Sequence, residues 1–346
     1  MFHDHVWQGH QWSATGLLRR ARLAVAVLPL VVGSVVTANS TVFAADPAAP
    51  LRVVATIKPV HALVAGVMAG VASPTVLLSG NASPHTFALK PSEARALANA
   101  DVLFRVSPAL EPFTVRLANS LPARVEVVSL GEAAGLALLP RRVGDGFERH
   151  DHGPGGGDGH GHKHAHGGPA PKGDAVDPHV WLDPDNARAM TRAIVATLSA
   201  RAPAHAARFA ENGRRLDESL ATLGREIGTQ LAPLAGTPLI VFHDAYQYLE
   251  HRYGLKVVGS ITLNPEVAPS AKRLTDLRAR IARDGVACIL SEPQFSPRIV
   301  EAVLEGSRAR AGVLDPVGGT LPAGPDHYHQ TLRALAAAIV ACRASG

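Results

Sequence analysis

Six of the 17 histidines lie between His150 and His166, in a stretch that reads HDHGPGGGDGHGHKHAH. They are His150, His152, His160, His162, His164 and His166. Neutral imidazoles are zinc ligands, so this stretch has the chemistry to bind metal. Because ordering a flexible chain costs entropy in every arrangement, we expect these residues to bind several ions weakly and exchange them quickly. A low-complexity insertion without a function is the structural alternative.

A second set of metal-capable residues follows apolar runs of the kind that form buried strands. These residues are His61, His85, His243, Glu292 and Asp315. His179, in DPHVWLDP, precedes a predicted helical region and joins this set. In open parallel sheets, ligands bind beyond the carboxyl ends of the strands, where such residues converge. Singly, a histidine after a strand is more often a hydrogen-bonded turn residue than a ligand, and Asp315 before Pro316 is a common turn or cap pattern.

The residue types in this second set favour zinc over other divalent ions. Several imidazoles and one carboxylate match the nitrogen and oxygen ligands of tetrahedral zinc sites. Calcium and magnesium require more oxygen ligands than the set offers.

The elements that must position these residues alternate between β-branched apolar runs and helical stretches. This alternation predicts an α/β fold of two similar lobes, each with a four-stranded, mostly parallel sheet flanked by helices. The first-lobe strands are predicted in LRVVATI, PTVLLS, DVLFRV and RVEVVSL. The second-lobe strands are predicted in PLIVFHD, KVVGSIT, VACILSE and AGVLDPV.

The predicted lobes span residues 46–200 and 234–346 and are joined by a spine helix over 201–233. Pro203 suits the first turn of that helix, and Pro233 marks its end. A helix of this length would be about 45 Å long and could contact both lobes. Residues 141–176 are rich in Gly, His and Pro without hydrophobic periodicity, so this tract is predicted to be a disordered loop in the first lobe.

The N-terminus predicts export across a membrane. Within residues 1–45, LLRRARLAVAVLPLVVGSVV supplies a basic region and an apolar run, and VFAAD supplies a cleavage site after Ala44 or Ala45. A membrane anchor is the alternative, although the run is shorter than the roughly 20 apolar residues that a spanning helix needs. The formal net charge is +5, without a basic stripe interleaved with aromatic residues, which argues against nucleic-acid binding.

Cys288 and Cys342 are the two cysteines of the chain, and both lie far from the predicted cleavage site. The processed N-terminus therefore cannot carry a thioether-linked lipid, and an exported, unanchored chain that stays with the cell implies the periplasm. In that oxidising compartment the two cysteines are expected to form a disulfide, with two buried free thiols as the alternative.

Several longer stretches carry a resemblance to a known family. They are TIKPVHALVAGVM, SPHTFALKPSEARALANADVLFRV, DPHVWLDP, VFHDAYQYLEHRYGL, NPEVAPS, SEPQFSP and VLDPVGG. With these motifs the chain resembles the solute-binding proteins of metal-importing ABC transporters (cluster A-I), specifically the zinc-selective, ZnuA-type branch. The resemblance covers nearly all of the chain after the signal peptide. It implies a histidine-rich loop and a disulfide in the C-terminal lobe.

The resemblance also implies a ligand set. His85, His179 and His243 match the family's metal-binding histidines, and His243 stands where manganese-binding members have glutamate. Asp315 matches the family's carboxylate, which ligates the metal or is replaced by water. Pro84 stands where some relatives have an acidic residue, so that extra carboxylate is absent here.

The remaining polar residues near these motifs receive secondary roles. His61 is a candidate auxiliary or second-site ligand. Candidates for the hydrogen-bond partners of the imidazoles are Asp244, Glu292, Asp177 and Asp183. Surface positions are expected for His251, His327 and His329.

The function that the resemblance implies is high-affinity capture of periplasmic Zn²⁺ in a cleft between the lobes, and delivery to an ABC membrane permease with its ATPase. No enzyme activity is expected, and the chain is expected to be a monomer with periplasmic zinc chaperones as further partners. Three alternatives stay open: a manganese- or iron-type binding protein of the same family, a zinc hydrolase, and a buffering protein that works through its loop.

Overall fold

The computed structural model describes residues 51–118, 120–142, 147, 175–262 and 268–344. The predicted signal peptide, residues 1–45, and the six histidines of the 150–166 stretch lie outside the described residues. Within the described ranges, no helix is both long enough and apolar enough to cross a membrane.

The first half of the chain forms a parallel four-stranded sheet with strand order β2-β1-β3-β4. Its strands are β1 (Val53–Ala55), β2 (Thr75–Val76), β3 (Val102–Arg105) and β4 (Glu126–Ser129). The accompanying helices are α1 (Lys58–Met68), α2 (Pro91–Ala98) and α3 (Phe113–Ala118). All four strands lie within the runs predicted from the sequence.

The second half repeats this arrangement with strand order β6-β5-β7-β8, again parallel. The strands are β5 (Pro238–His243), β6 (Lys256–Thr262), β7 (Cys288–Ser291) and β8 (Arg310–Val313). The helices are α6 (Gln247–Tyr253), α7 (Ala271–Asp284), α8 (Pro297–Leu304) and α9 (His327–Ala344). The predicted α/β fold with two similar parallel sheets is therefore confirmed.

Two helices connect the halves: α4 (Pro184–Arg201) and the long α5 (Ala206–Leu231). Helix α5 has 26 residues and is about 39 Å long. It is shorter than the predicted 201–233 because a single 3₁₀ turn, Pro203–His205, precedes it and another, Ala232–Leu234, follows. It packs against α1, α4 and α9, so it contacts both halves as expected of a spine.

Side chains of the second sheet alternate between two apolar cores. In β5, Leu239 and Val241 belong to the large core that runs through both halves, whereas Ile240 and Phe242 belong to a smaller core on the opposite face. This alternation follows from the two-residue repeat of a strand. A sheet covered on both faces explains why these strands read as continuous apolar runs.

The disulfide predicted between the two cysteines is confirmed. Cys288 begins β7 on the large-core face and is bonded to Cys342 of α9, with their Cα atoms 6.0 Å apart. The bond ties the C-terminal helix to the second sheet.

Both sheets have a point where the chain reverses its direction of winding. After β1 the chain adds β2 on one side and then crosses to β3 on the other, and β5, β6 and β7 repeat this order. Ligand sites of open α/β sheets form in the crevice at such a point, beyond the carboxyl ends of the two central strands. In the second sheet this crevice lies between the ends of β5 and β7.

Candidate metal centre

Three histidines from separate segments converge between the two halves. His243 is the last residue of β5, His179 precedes a 3₁₀ turn before α4, and His85 lies between β2 and α2. The Nε2 atom of His179 lies 3.3 Å from that of His85 and 3.3 Å from that of His243. Among the described residues, this trio is the one group of histidine, cysteine and acidic side chains arranged to hold a metal ion.

Two buried carboxylates hold the far nitrogens of two of these rings. Asp177 Oδ1 lies 2.7 Å from His179 Nδ1, and Glu292 Oε1 lies 2.5 Å from His243 Nδ1. The contacts assign the proton to Nδ1, which donates to the carboxylate, and leave a lone pair on each Nε2. Two unprotonated Nε2 atoms facing each other at 3.3 Å repel unless a proton or a metal ion lies between them.

The contact between His243 and Glu292 follows from the sheet register. Val241 of β5 pairs with Leu290 of β7. His243 lies two positions after Val241 and ends β5, and Glu292 lies two positions after Leu290, directly beyond the end of β7. His243 and Glu292 therefore stand side by side at the reversal point of the second sheet. Asp177 lies two residues before His179, and its Oδ1 atom also accepts the His179 backbone N–H at 3.0 Å, which holds the carboxylate beside the ring.

Burial and neighbouring charges shift the proton affinities at the site. Burial lowers the pKa values of His85 and His179, and the adjacent imidazoles lower them further. Burial also acts to lower the pKa of His243, but the Glu292 carboxylate, with the more distant charges of Asp244 and Asp177, more than offsets it, and that pKa is raised. Burial raises the pKa of Asp177 to about 7. His85 and His179 are therefore neutral, as metal ligands must be, at the pH where a free imidazole is half protonated.

The spacing of the three rings fits zinc. Zinc binds imidazole nitrogen at about 2.0–2.1 Å, so two nitrogens 3.3 Å apart subtend an angle of about 107° at the ion, close to tetrahedral. The cavity beside the rings encloses about 10 Å³ of free space, lined also by Gln294, Pro316 and Val317. That is room for about one water molecule as the fourth ligand.

The structure does not bring Asp315 into the histidine cluster. One oxygen of its carboxylate accepts from Gln294 Nε2 at 2.8 Å and from the Val317 N–H at 3.2 Å. The other accepts from the Gly319 N–H at 2.7 Å. Asp315 thus shapes the turn that begins after β8 through its two backbone hydrogen bonds, and Gln294 ties it to the segment that follows β7.

His61 also lies outside the cluster. It is buried on α1, where its Nε2 atom is 3.2 Å from the Pro74 carbonyl oxygen. His251 is exposed as expected. The expectation of a surface position was wrong for His327, which is buried at the start of α9 with both ring nitrogens 3.0 Å from carbonyl oxygens.

Asp244 holds an arginine rather than an imidazole. Its carboxylate pairs with Arg142, which also donates from Nη1 to Glu250 Oε2 at 2.6 Å. Asp183, the other candidate partner, caps α4 by accepting the Asp185 N–H. The prediction that Asp244 and Asp183 form hydrogen bonds with the site imidazoles was therefore wrong.

The predicted disordered tract, 141–176, is ordered at its ends. Pro140 and Val176 form an antiparallel bridge, and the Arg141 N–H donates to the Ala175 carbonyl at 2.8 Å. Arg142 stacks over Phe147, 4.0 Å from the ring centre. Arg142 fixes this end of the tract because it forms largely buried ion pairs with Asp244 and Glu250 of the second half. The low hydrophobicity of the tract gave no indication of this pairing.

Comparison with known proteins places the chain in a family. The family model described as ZnuA, zinc-uptake complex component A, periplasmic, matches residues 53–342. The chain belongs to this family. A ZnuA-family protein of Brucella abortus (strain 2308), the high-affinity zinc uptake system protein ZnuA, is 44% identical over 303 residues, which is 84% of this chain and 91% of that one. The protein of the same name from Paracoccus denitrificans is 38% identical, with the same coverage.

Solved structures share the ZnuA-family fold at lower sequence identity. A crystal structure of ZnuA aligns with a TM-score of 0.68 and 21% identity, over 85% of this chain and 99% of that one. The solute-binding protein FpvC of Pseudomonas aeruginosa, in complex with Mn²⁺, aligns with a TM-score of 0.70 and 20% identity, over 86% and 100%. At these identities the likeness establishes the fold, whereas the choice of metal depends on the residues of the site.

Proposed function

We propose that this protein binds one Zn²⁺ ion between its two halves with His85, His179 and His243 and delivers it to an ABC permease for import. The observation that carries the proposal is the pair of Nε2 contacts at 3.3 Å between rings whose Nδ1 atoms are committed to Asp177 and Glu292. When the Nε2 atoms are unprotonated, this arrangement is electrostatically unfavourable without a metal ion, and its spacing suits tetrahedral zinc.

A water molecule is the proposed fourth ligand. Gln294 lines the cavity, and its Nε2 atom is committed to Asp315. Its Oε1 atom is buried and has no hydrogen-bond partner among the described residues. A zinc-bound water would supply the missing donor, and the small cavity volume admits little else.

The donor set supports zinc over manganese as the cargo. Manganese favours carboxylate and water oxygens, whereas imidazole nitrogens suit zinc, which also binds more tightly to a given nitrogen site. In this site the Asp177 and Glu292 carboxylates contact Nδ1 atoms, on the far side of the rings from the Nε2 atoms that would bind the metal. A competition titration that found manganese preferred would contradict this assignment and favour the manganese-type alternative.

The wider role follows the family. We propose that residues 1–45 direct export and are removed, that the mature chain works in the periplasm as a monomer, and that its partners are a membrane permease with its ATPase and periplasmic zinc chaperones. Binding and releasing a zinc ion exchange metal–ligand bonds but break no covalent bond of a substrate, so we propose transport rather than catalysis. Hydrolysis of ester, phosphate or lactam substrates well above background would revive the hydrolase alternative.

Zinc titration of alanine variants tests the site directly. Each of His85→Ala, His179→Ala and His243→Ala should weaken zinc binding beyond the roughly 10–100-fold loss typical of removing a hydrogen-bond partner of a ligand. His251→Ala, on the exposed face of α6, is the matched control and should bind like the wild type. Tight one-to-one binding that survived in all three site variants would refute the proposal.

A further inference from the structure

One wall of the metal cavity is a turn that comes from the second half of the chain. Residues 315–321, here called the closing turn, follow β8 and contribute Pro316 and Val317 to the cavity lining. Asp315 fixes the shape of this turn, because its carboxylate accepts the backbone N–H groups of Val317 and Gly319. The turn therefore has a defined conformation and forms part of the cavity wall.

A buried lysine of the first half of the chain forms hydrogen bonds with the closing turn. Lys58, the first residue of α1, donates from Nζ to the Gly319 carbonyl at 2.6 Å and to the Leu321 carbonyl at 2.9 Å. Its exposed fraction is 7%. Burial lowers the pKa of Lys58, and the Asp315 carboxylate opposes that shift. A buried ammonium bonded to two carbonyls is a strong contact, because hydrogen bonds from charged donors exceed those from neutral ones.

Two further contacts show how closely the turn fits the first half. A Cβ atom added to Gly319 would lie 2.8 Å from the Gly80 carbonyl oxygen, so only glycine allows this approach. Gly80 belongs to the segment that carries His85. On the other side, Trp181 Nε1 donates to the Pro316 carbonyl at 2.8 Å. The closing turn is thus held between the segments that carry His85 and His179.

We infer that Lys58 is a positioning residue that controls the rate of zinc exchange by pinning the closing turn over the metal cavity, and that Asp315 serves the same end by shaping the turn. The inference rests on the proposed function, because it assigns a kinetic role around the proposed site. Both hydrogen bonds of Lys58 go to carbonyls outside the histidine cluster. Losing them should open the path to the cavity while the three imidazoles keep their places.

The kinetic consequence differs from that of losing a ligand. A ligand variant loses affinity, whereas a variant that opens the path raises the association and dissociation rates together. A hydrogen bond from a charged donor biases an equilibrium by about tenfold or more. Lys58→Met should therefore raise the zinc dissociation rate by about tenfold, raise the association rate as well, and change the dissociation constant far less.

The experiment measures both rates on the full mature chain. Zinc-loaded protein is mixed with excess chromophoric chelator for dissociation, and zinc-free protein is mixed with zinc for association. Lys58→Arg, which keeps a cationic donor, should restore rates close to wild type. Lys58→Gln, with a neutral donor, should fall between the two and supplies a result even if Lys58→Met does not fold.

Asn212→Ala is a matched control for the general loss of a buried donor. Asn212 Nδ2 also donates to two backbone carbonyls, those of Val67 and Ala69, at 2.9 Å each, in the contact between α5 and α1. This variant should lower thermal stability without changing either rate. If Lys58→Met exchanges zinc no faster than Asn212→Ala, the inference is wrong.

Asp315→Asn separates the two roles open to that residue. As the organiser of the closing turn, Asp315 should behave like Lys58, and its variant should raise both rates. If Asp315→Asn weakened equilibrium binding at an unchanged association rate, Asp315 would be a ligand and its part of the inference would fail. Wild-type protein that bound no zinc would instead refute the proposed function itself.

Discussion

Replacing Glu292 by glutamine tests whether the carboxylates behind the imidazoles set zinc affinity. Glu292 is buried, and its Oε1 atom lies 2.5 Å from His243 Nδ1. Glutamine keeps the shape and an acceptor oxygen but removes the negative charge. The ligand nitrogen then becomes less basic, and the ion loses a nearby compensating charge.

The magnitude can be worked from the contact. A hydrogen bond to a charged group contributes about 1.5–3 kcal/mol, roughly twice a neutral one, so glutamine should forfeit about 0.8–1.5 kcal/mol. The lost attraction between the carboxylate and the ion adds to this. We therefore expect zinc binding to weaken by about tenfold, at the lower end of the roughly 10–100-fold range for such partners. Glu292→Ala, which also loses the acceptor, should approach the upper end.

The assay is a zinc competition titration against a chelator of known affinity, repeated from pH 8 to pH 5. Glu292 raises the pKa of His243, so this pKa should be lower in the glutamine variant. Protons then compete with zinc only at lower pH, and the pH midpoint of zinc binding should shift to lower pH. Glu305→Gln is the matched control, because Glu305 is an exposed partner of Arg278 on the surface. Two results would refute the reasoning. One is a Glu292→Gln variant that binds zinc as tightly as Glu305→Gln does. The other is weaker binding with no shift in the pH midpoint of zinc binding.

Three further outcomes are expected. Zinc affinity should fall as the pH drops, because protons compete with zinc for the imidazoles. His243, whose pKa is raised, should gain its proton first, and His85 and His179, whose pKa values are lowered, should follow at more acidic pH. Unchanged affinity at pH 5 would contradict this. Reduction of the Cys288–Cys342 disulfide, which links positions 54 residues apart, should lower the free energy of unfolding by about 4 kcal/mol, measured by denaturant titration with and without reductant. Zinc at about 1,000 times its dissociation constant should stabilise the folded chain by about 4 kcal/mol, and calorimetry with and without a chelator should detect the loss on metal removal.

The sequence predicted the fold because local patterns agree with the tertiary arrangement. Apolar runs bounded by turn residues located all eight strands of the described residues, and their separation by helical stretches implied parallel pairing. The first residue of the spine helix was less predictable. Pro203 is compatible with the first turn of either an α-helix or a 3₁₀ helix, and the structure uses it in the 3₁₀ turn Pro203–His205.

The strand-end rule located His243 and Glu292 because strand register carries their side chains to one crevice. It failed to locate Lys58 and Arg142, whose partners are distant in sequence. Arg142 lies 102 residues from Asp244, and Lys58 lies 261 residues from Gly319, so no local pattern links either pair. A signal existed for Lys58, since it is the one charged residue within the apolar run VVATIKPVHALVAGVM. Such a residue must be paired if it is buried.

The proposed centre combines neutral nitrogen ligands with compensation for the double positive charge of zinc. Three neutral imidazoles around a dication would leave two positive charges in a largely buried site, which is costly without compensation. Asp177 and Glu292 supply two negative charges one contact further out, each through the ring that it orients. The donor atoms therefore remain nitrogen, which disfavours manganese, while the buried charge is balanced. Because burial raises the pKa of Asp177 to about 7, part of this balance forms only when the ion draws the proton off, so zinc binding near neutral pH should release protons.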